Sequence, residues 1–138
     1  MRCGRRYSPH TPYGSSLKTG QPSAARTILV VDDDPDVRDY AVTVLEEFGY
    51  RVLAAESGEA ALSMLRQHCS VDLLFTDVVM PRLDGFELAE RALATAPALK
   101  ILFTSGYTSD IRPATRLLKK PYRPQQLRRE IAALLPES

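Results

Sequence analysis

Cysteine is nearly absent: Cys3 and Cys69 are the two in 138 residues, they sit in dissimilar contexts, and neither belongs to a C-x-x-C spacing. That scarcity gives no ground for a disulfide framework or a metal staple and points to a reducing compartment. A long apolar run is missing too. The N-terminus carries bases but no apolar core behind them, so nothing reads as a membrane span or a secretory signal. The expectation is a cytoplasmic protein of one domain, long enough to bury roughly two-thirds of its unfolded surface without cross-links.

Acid is absent from one region only. Residues 1–26 carry Arg2, Arg5, Arg6, Lys18 and Arg26 with no Asp or Glu, so a net charge of +1 conceals a basic end and an acidic remainder. The same stretch is rich in Pro, Gly, Ser and Thr and has no apolar period, which predicts a disordered basic tail. Its bases are scattered, and a solvated leader or linker explains them better than a nucleic-acid or membrane patch.

From residue 27 to 136 the chain alternates between short apolar runs and helical periods. Thr27 to Val31 reads as a buried strand, unbroken and β-branched. A helix follows, with Val37, Tyr40, Ala41, Val44, Leu45 and Phe48 on its inner face, Asp34 as cap, Pro35 at its first position and Gly49 at its exit. Arg51 to Ala55 is a second strand, and Ser57 caps a helix that turns Ala61, Met64, Leu65 and His68 inward. Asp72 to Thr76 is a third strand ending at Asp77, and Asp84 caps a helix with Leu88, Ala89, Ala92 and Leu93 inward. Lys100 to Thr104 and Arg116 to Lys119 are the fourth and fifth strands; Pro124 starts a last helix burying Leu127, Ile131, Leu134 and Leu135. This order implies an α/β fold, a doubly wound five-stranded parallel sheet with right-handed crossovers.

In such sheets functional groups gather beyond the carboxyl ends of the strands. Asp32 and Asp33 end the first strand, Asp77 the third, Thr104 and Ser105 the fourth, Lys119 and Lys120 the fifth. Like charges about 4 Å apart repel by roughly 4 kcal/mol at an effective dielectric of 20, so a bare acid cluster calls in a cation. An all-oxygen set with room for water suits Mg²⁺, and Mg²⁺ suits phosphate. A carboxylate can attack phosphorus to form an aspartyl phosphate, with a lysine and a hydroxyl neutralising the transferring group. Asp77, Lys120 and Ser105 fill those roles. Asp34 is better explained as a cap, Asp36 and Asp39 as solvated charges at a helix N-terminus, and His10 and His68 as structural.

The pieces VVDDDPDVR, LLFTDVVMPRLDGFEL, FTSGYT and KKPY, in this order, resemble the receiver domain of two-component response regulators, closest in wording to receivers at the C-terminus of hybrid sensor histidine kinases. The resemblance implies the strand order 2-1-3-4-5, Asp77 as phosphoacceptor, and Lys120 and Ser105 as its phosphate-pairing lysine and hydroxyl residue. It also implies Mg²⁺ held by Asp33 directly, by Asp32 through water, by Asp77 and by the Val79 carbonyl, and a cis bond between Lys120 and Pro121. The implied partner is a sensor histidine kinase or a histidine phosphotransfer protein. The implied output is a conformational change rather than turnover, so the chain is read as a signalling domain and not an enzyme.

Two departures from the family stand out. About nine residues, Thr108 to Arg116, remain where most receivers place a helix, and Pro113 falls among them, so the fourth helix is expected to be shortened or absent. The position three before the lysine, usually aromatic and part of the switch, is Leu117, with Tyr107 as a substitute. The common dimer surface is affected, and a monomer or weak dimer is expected. No DNA-binding domain or second effector is expected within this chain. Two alternatives stay open: an aspartate-nucleophile phosphatase using the D-x-D of Asp32 to Asp34, and a receiver-like binding module that is never phosphorylated.

Overall fold

The computed structural model describes residues 25–68, 70–106 and 116–136. Five strands form one parallel sheet: β1 (Thr27–Val31), β2 (Arg51–Ala55), β3 (Leu73–Asp77), β4 (Lys100–Ser105) and β5 (Leu117–Lys119), in the order β2-β1-β3-β4-β5. Among the described residues there are four helices: α1 (Pro35–Glu47), α2 (Gly58–Gln67), α3 (Gly85–Thr95) and α4 (Pro124–Leu134). Residues 1–24 and 107–115 lie outside the described residues, and with them the expected tail, Cys3, His10, Tyr107 and most of the segment expected to replace the usual fourth helix. Cys69 lies outside them as well.

Strand residues point alternately to the two faces, and each face is apolar because each is covered. Ile28, Val30, Leu73, Phe75, Leu102 and Leu118 meet α1 and α4, through Ala41, Leu45, Leu127 and Ile131. Leu29, Val31, Leu53 and Leu74 meet α2 and α3, through Ala61, Leu88 and Ala92. A third cluster, Val78, Phe86, Ala89 and Phe103, closes the end of the second layer, with the Phe86 and Phe103 rings 4.8 Å apart.

The helix starts are built as the sequence predicts. The Asp34 carboxylate accepts from the N–H groups of Asp36 and Val37, Ser57 Oγ from Ala60, and Asp84 from Glu87. Gly49, at φ 97, ends the first helical segment in a conformation that favours glycine. Asp34→Ala is expected to lower stability by about 1 kcal/mol, the usual worth of such a cap. Urea unfolding measures that loss.

Several sequence expectations need correction. The third strand is shifted by one residue; Asp72 lies before it and its carboxylate accepts the Thr27 N–H at 2.8 Å, stapling the foot of β1. β4 extends to Ser105, and β5 starts at Leu117, although the Arg116 carbonyl still accepts from Phe103. Tyr40 is 41% exposed rather than inward, because its ring leans on Tyr122 and its hydroxyl donates to the Tyr122 carbonyl at the edge of the α1 layer. Leu93 is 36% exposed, at the margin of the buried face that Leu88, Ala89 and Ala92 form on α3. His68 caps α2 in an extended conformation instead of continuing its inner face.

Candidate functional site

Register brings the expected residues to one end of the sheet. Val31 pairs with Thr76, Asp77 with Thr104, and Ser105 with Lys119, so residues 32, 77, 105 and 120 emerge side by side. Asp32, Asp33 and Asp77 each offer a carboxylate oxygen, all within 4.8 Å of one another. Asp32 and Asp77 are buried, while Asp33 is exposed.

Lys120 is the cation inside this cluster. Its Nζ lies 3.1 Å from Asp32 Oδ2 and 3.4 Å from Asp77 Oδ2. Its backbone N–H donates to the Ser105 carbonyl at 2.9 Å, the peptide bond that follows it to Pro121 is cis, and Ser105 itself is fully buried. Asp32 is held from below: its Oδ1 accepts the Asp34 N–H at 2.9 Å, and Arg38 donates to its carbonyl at 2.8 Å. Sequence reasoning missed Arg38; its signal was a lone base in the first turns of a helix that follows an acidic run.

One ammonium does not neutralise the site. Burial pushes the Asp77 carboxyl up to about 6, against the attraction of Lys120 and a hydrogen bond from the Val79 N–H, while the Asp32 charge pushes the same way as burial. Burial also works against the Lys120 charge, but Asp77 and Asp32 outweigh it and hold its pKa above the ordinary value. The two shifts differ in what wins: the lysine has two acids for partners, and each acid has half a lysine. The residual negative charge, the all-oxygen donor set and the open side at Asp33 fit a hydrated divalent cation of the Mg²⁺ kind.

The remaining expected residues lie around this centre. The Val79 side chain is 48% exposed at the rim. Leu117 is half-buried against the Phe103 cluster, away from the acids. Gly85 sets the floor: its N–H donates to the Val78 carbonyl at 2.9 Å, and a Cβ there would overlap the Asp77 carbonyl oxygen and come within 2.9 Å of Val78 Cα. Gly85→Ala is therefore expected to move the Asp77 backbone, lowering stability by about 1–3 kcal/mol as overpacking does; urea unfolding of the variant beside wild type checks it.

The chain resembles known proteins over the same span. The profile of the response regulator receiver domain family matches residues 28–132. The response regulator receiver protein CpdR of Brucella abortus is 38% identical over 117 residues, covering 80% of this chain and 97% of that protein. The sensor kinase CckA of the same organism is 36% identical over 121 residues, 82% of this chain but 13% of the kinase. The solved receiver domain of the hybrid histidine kinase CckA superposes with a TM-score of 0.71 at 34% identity, covering 79% of this chain and 98% of that one. The response regulator TrrA of Thermotoga maritima, crystallised with Mg²⁺ and BeF, gives 0.72 at 31% identity, with the same coverage of both chains. Among the described residues, no helix is long and apolar enough to cross a membrane.

Proposed function

The chain belongs to the response regulator receiver domain family, and from that premise we propose that it is a phosphoacceptor: Asp77 takes a phosphoryl group from a phosphohistidine of a sensor histidine kinase or phosphotransfer protein. The observation that carries this reading is the Lys120 ammonium lying between Asp32 and Asp77, 3.1 and 3.4 Å from them, at the end of the sheet.

Each residue has a defined part. An Asp77 oxygen attacks phosphorus; the bond to the histidine nitrogen breaks, and the electron pair leaves with the imidazole. Lys120 neutralises an oxygen of the transferring group, and the Ser105 hydroxyl donates to another. Mg²⁺, when bound, supplies further neutralisation of the phosphoryl oxygens, and Asp32, Asp33, Asp77 and the Val79 carbonyl are the groups to hold it. The low solvent exposure of Asp32 and Asp77 strengthens these interactions relative to water. The aspartyl phosphate then shifts a conformational equilibrium that partner proteins read, so the domain works in the cytoplasm as a switch and not as a turnover enzyme.

The phosphatase alternative places its nucleophile on the first strand. Asp34, the second acid of that D-x-D, is engaged as the cap of α1, which supports Asp77 instead. Transfer from a phosphorylated histidine phosphotransfer protein tests the proposal. Label is expected to move to this chain with Mg²⁺ present and to stop with EDTA; equal transfer with and without EDTA would contradict the assigned site.

A further inference from the structure

Among the described residues, two buried hydroxyls have no hydrogen-bond partner: Thr104 Oγ1 and the Tyr122 phenol oxygen. Their residues are 2% and 7% exposed. A buried hydroxyl without a partner forfeits the hydrogen bonds that water gave it in the unfolded chain, so two such groups ask for a common explanation.

They share one layer. Parallel register sets Thr104 between Asp77 on β3 and Leu118 on β5, and side chains at registered positions point to the same face. Leu118, Phe75 and Leu102, the last two being two residues before Asp77 and Thr104, all lie in the cluster that contains Tyr122. The Tyr122 ring meets Phe75 edge-on at 5.8 Å. Thr104 therefore points into the layer that Tyr122 fills, beside Asp77 on the neighbouring strand.

Both residues are tied by backbone to the site. The Thr104 carbonyl accepts the Val78 N–H at 3.0 Å, one residue beyond Asp77. Tyr122 stands two residues after Lys120, and its carbonyl accepts the Tyr40 hydroxyl at 3.3 Å.

We infer that the hydroxyls of Thr104 and Tyr122 are joined across one internal water, in a buried polar bridge that holds the turn after β5 against the end of β4 and so positions the Lys120 ammonium beside Asp77. A single water held between hydroxyls is an ordinary way to satisfy buried polar groups. With it, Tyr122 is fixed at its ring by Phe75 and Tyr40, at its carbonyl by Tyr40 and at its hydroxyl by Thr104, which leaves the lysine two residues earlier little freedom. Thr104 and Tyr122 are thus positioning residues. Their effect on Lys120 chemistry rests on the function proposed above; the bridge itself does not.

A double-mutant cycle on the full chain tests the bridge by urea unfolding of Thr104→Val, Tyr122→Phe and the double variant. A buried water left with one hydroxyl has too few partners to stay. Each single change therefore strands the other hydroxyl and is expected to lower the folding equilibrium constant about tenfold, while the double variant returns to within about threefold of wild type. Single variants that are neutral or more stable, or effects that simply add, would overturn it. The positioning role is read from the initial rate of phosphoryl uptake from acetyl phosphate by fully folded protein. Thr104→Val and Tyr122→Phe are expected to be about fivefold slower at unchanged Mg²⁺ affinity, and Thr104→Ser, which keeps the hydroxyl, is expected to match wild type. Wild-type rates in all of them would overturn the positioning role. Absence of uptake by the wild type would overturn the proposed function, and the cycle would still decide the bridge.

Discussion

Asp77→Asn is expected to take up no phosphoryl group and yet to be more stable than the wild type when both are metal-free at pH 7. The loss of uptake follows from removing the proposed nucleophile. The gain in stability follows from the sign of the Asp77 shift, in which burial outweighs Lys120 and raises the carboxyl from 3.8 to about 6. A group whose folded pKa is raised contributes stability that is fully present below its unfolded value and is lost as pH rises through its folded value. At pH 7 wild-type Asp77 is thus a buried charge that the fold tolerates at a cost, and the neutral isostere removes it. A shift of this size corresponds to roughly 2–3 kcal/mol. Urea midpoints across pH check it: the wild type is expected to gain on the variant as pH falls from above 6 towards 4, and added Mg²⁺ to favour the wild type. A variant less stable than wild type at pH 7 without metal would show that the Lys120 contact outweighs burial.

Lys120→Ala is expected to have the opposite effect on stability and to slow the chemistry without abolishing it. The lysine is the counter-ion of two buried acids, its side chain 21% exposed and theirs 4% and 9%. Removing one partner from such a group leaves charge buried without compensation, which costs about 3–5 kcal/mol. Phosphoryl uptake is expected to fall roughly a hundredfold, the order found when one donor to a developing oxyanion is lost. Mg²⁺ offers a diagnostic. Because the ion binds the folded state and substitutes for the missing charge, it is expected to raise the melting temperature of Lys120→Ala by more than that of the wild type. An equal or smaller rise would mean that Lys120 does not share its acids with the metal.

Much of this architecture was readable because period and punctuation agree. Thr27–Val31 is β-branched and unbroken, and Asp34-Pro35 is both a cap and a first helical turn, so β1 and α1 are found within a residue of where they lie. The joint placement of residues 32, 77, 105 and 120 followed from parallel strands sharing an end. Side-chain direction at the margins was harder. Tyr40 and Leu93 keep the helical period but lie at the margins of their helices' buried faces, which a one-dimensional pattern does not delimit. Asp72 seemed a strand residue because it precedes an apolar run, whereas its carboxylate caps a neighbouring strand's N–H. The closeness of Gly85 to the Asp77 carbonyl was hidden for a similar reason: a glycine beginning a helix does not announce what its missing Cβ makes room for. Thr104 was legible as the end of the fourth strand, but nothing marked its hydroxyl or that of Tyr122 as buried without a partner, since a hydroxyl within an apolar stripe looks like a tolerated substitution.

The most direct test of the account is to find the phosphorylated atom. The chain is incubated with acetyl phosphate and Mg²⁺ and reduced with borohydride, which converts an aspartyl phosphate to homoserine, and the peptides are then weighed. The account predicts one modified residue, homoserine at position 77, absent when EDTA replaces Mg²⁺. Modification at Asp32 or Asp33 instead, or none in a sample shown to bind Mg²⁺, would contradict it.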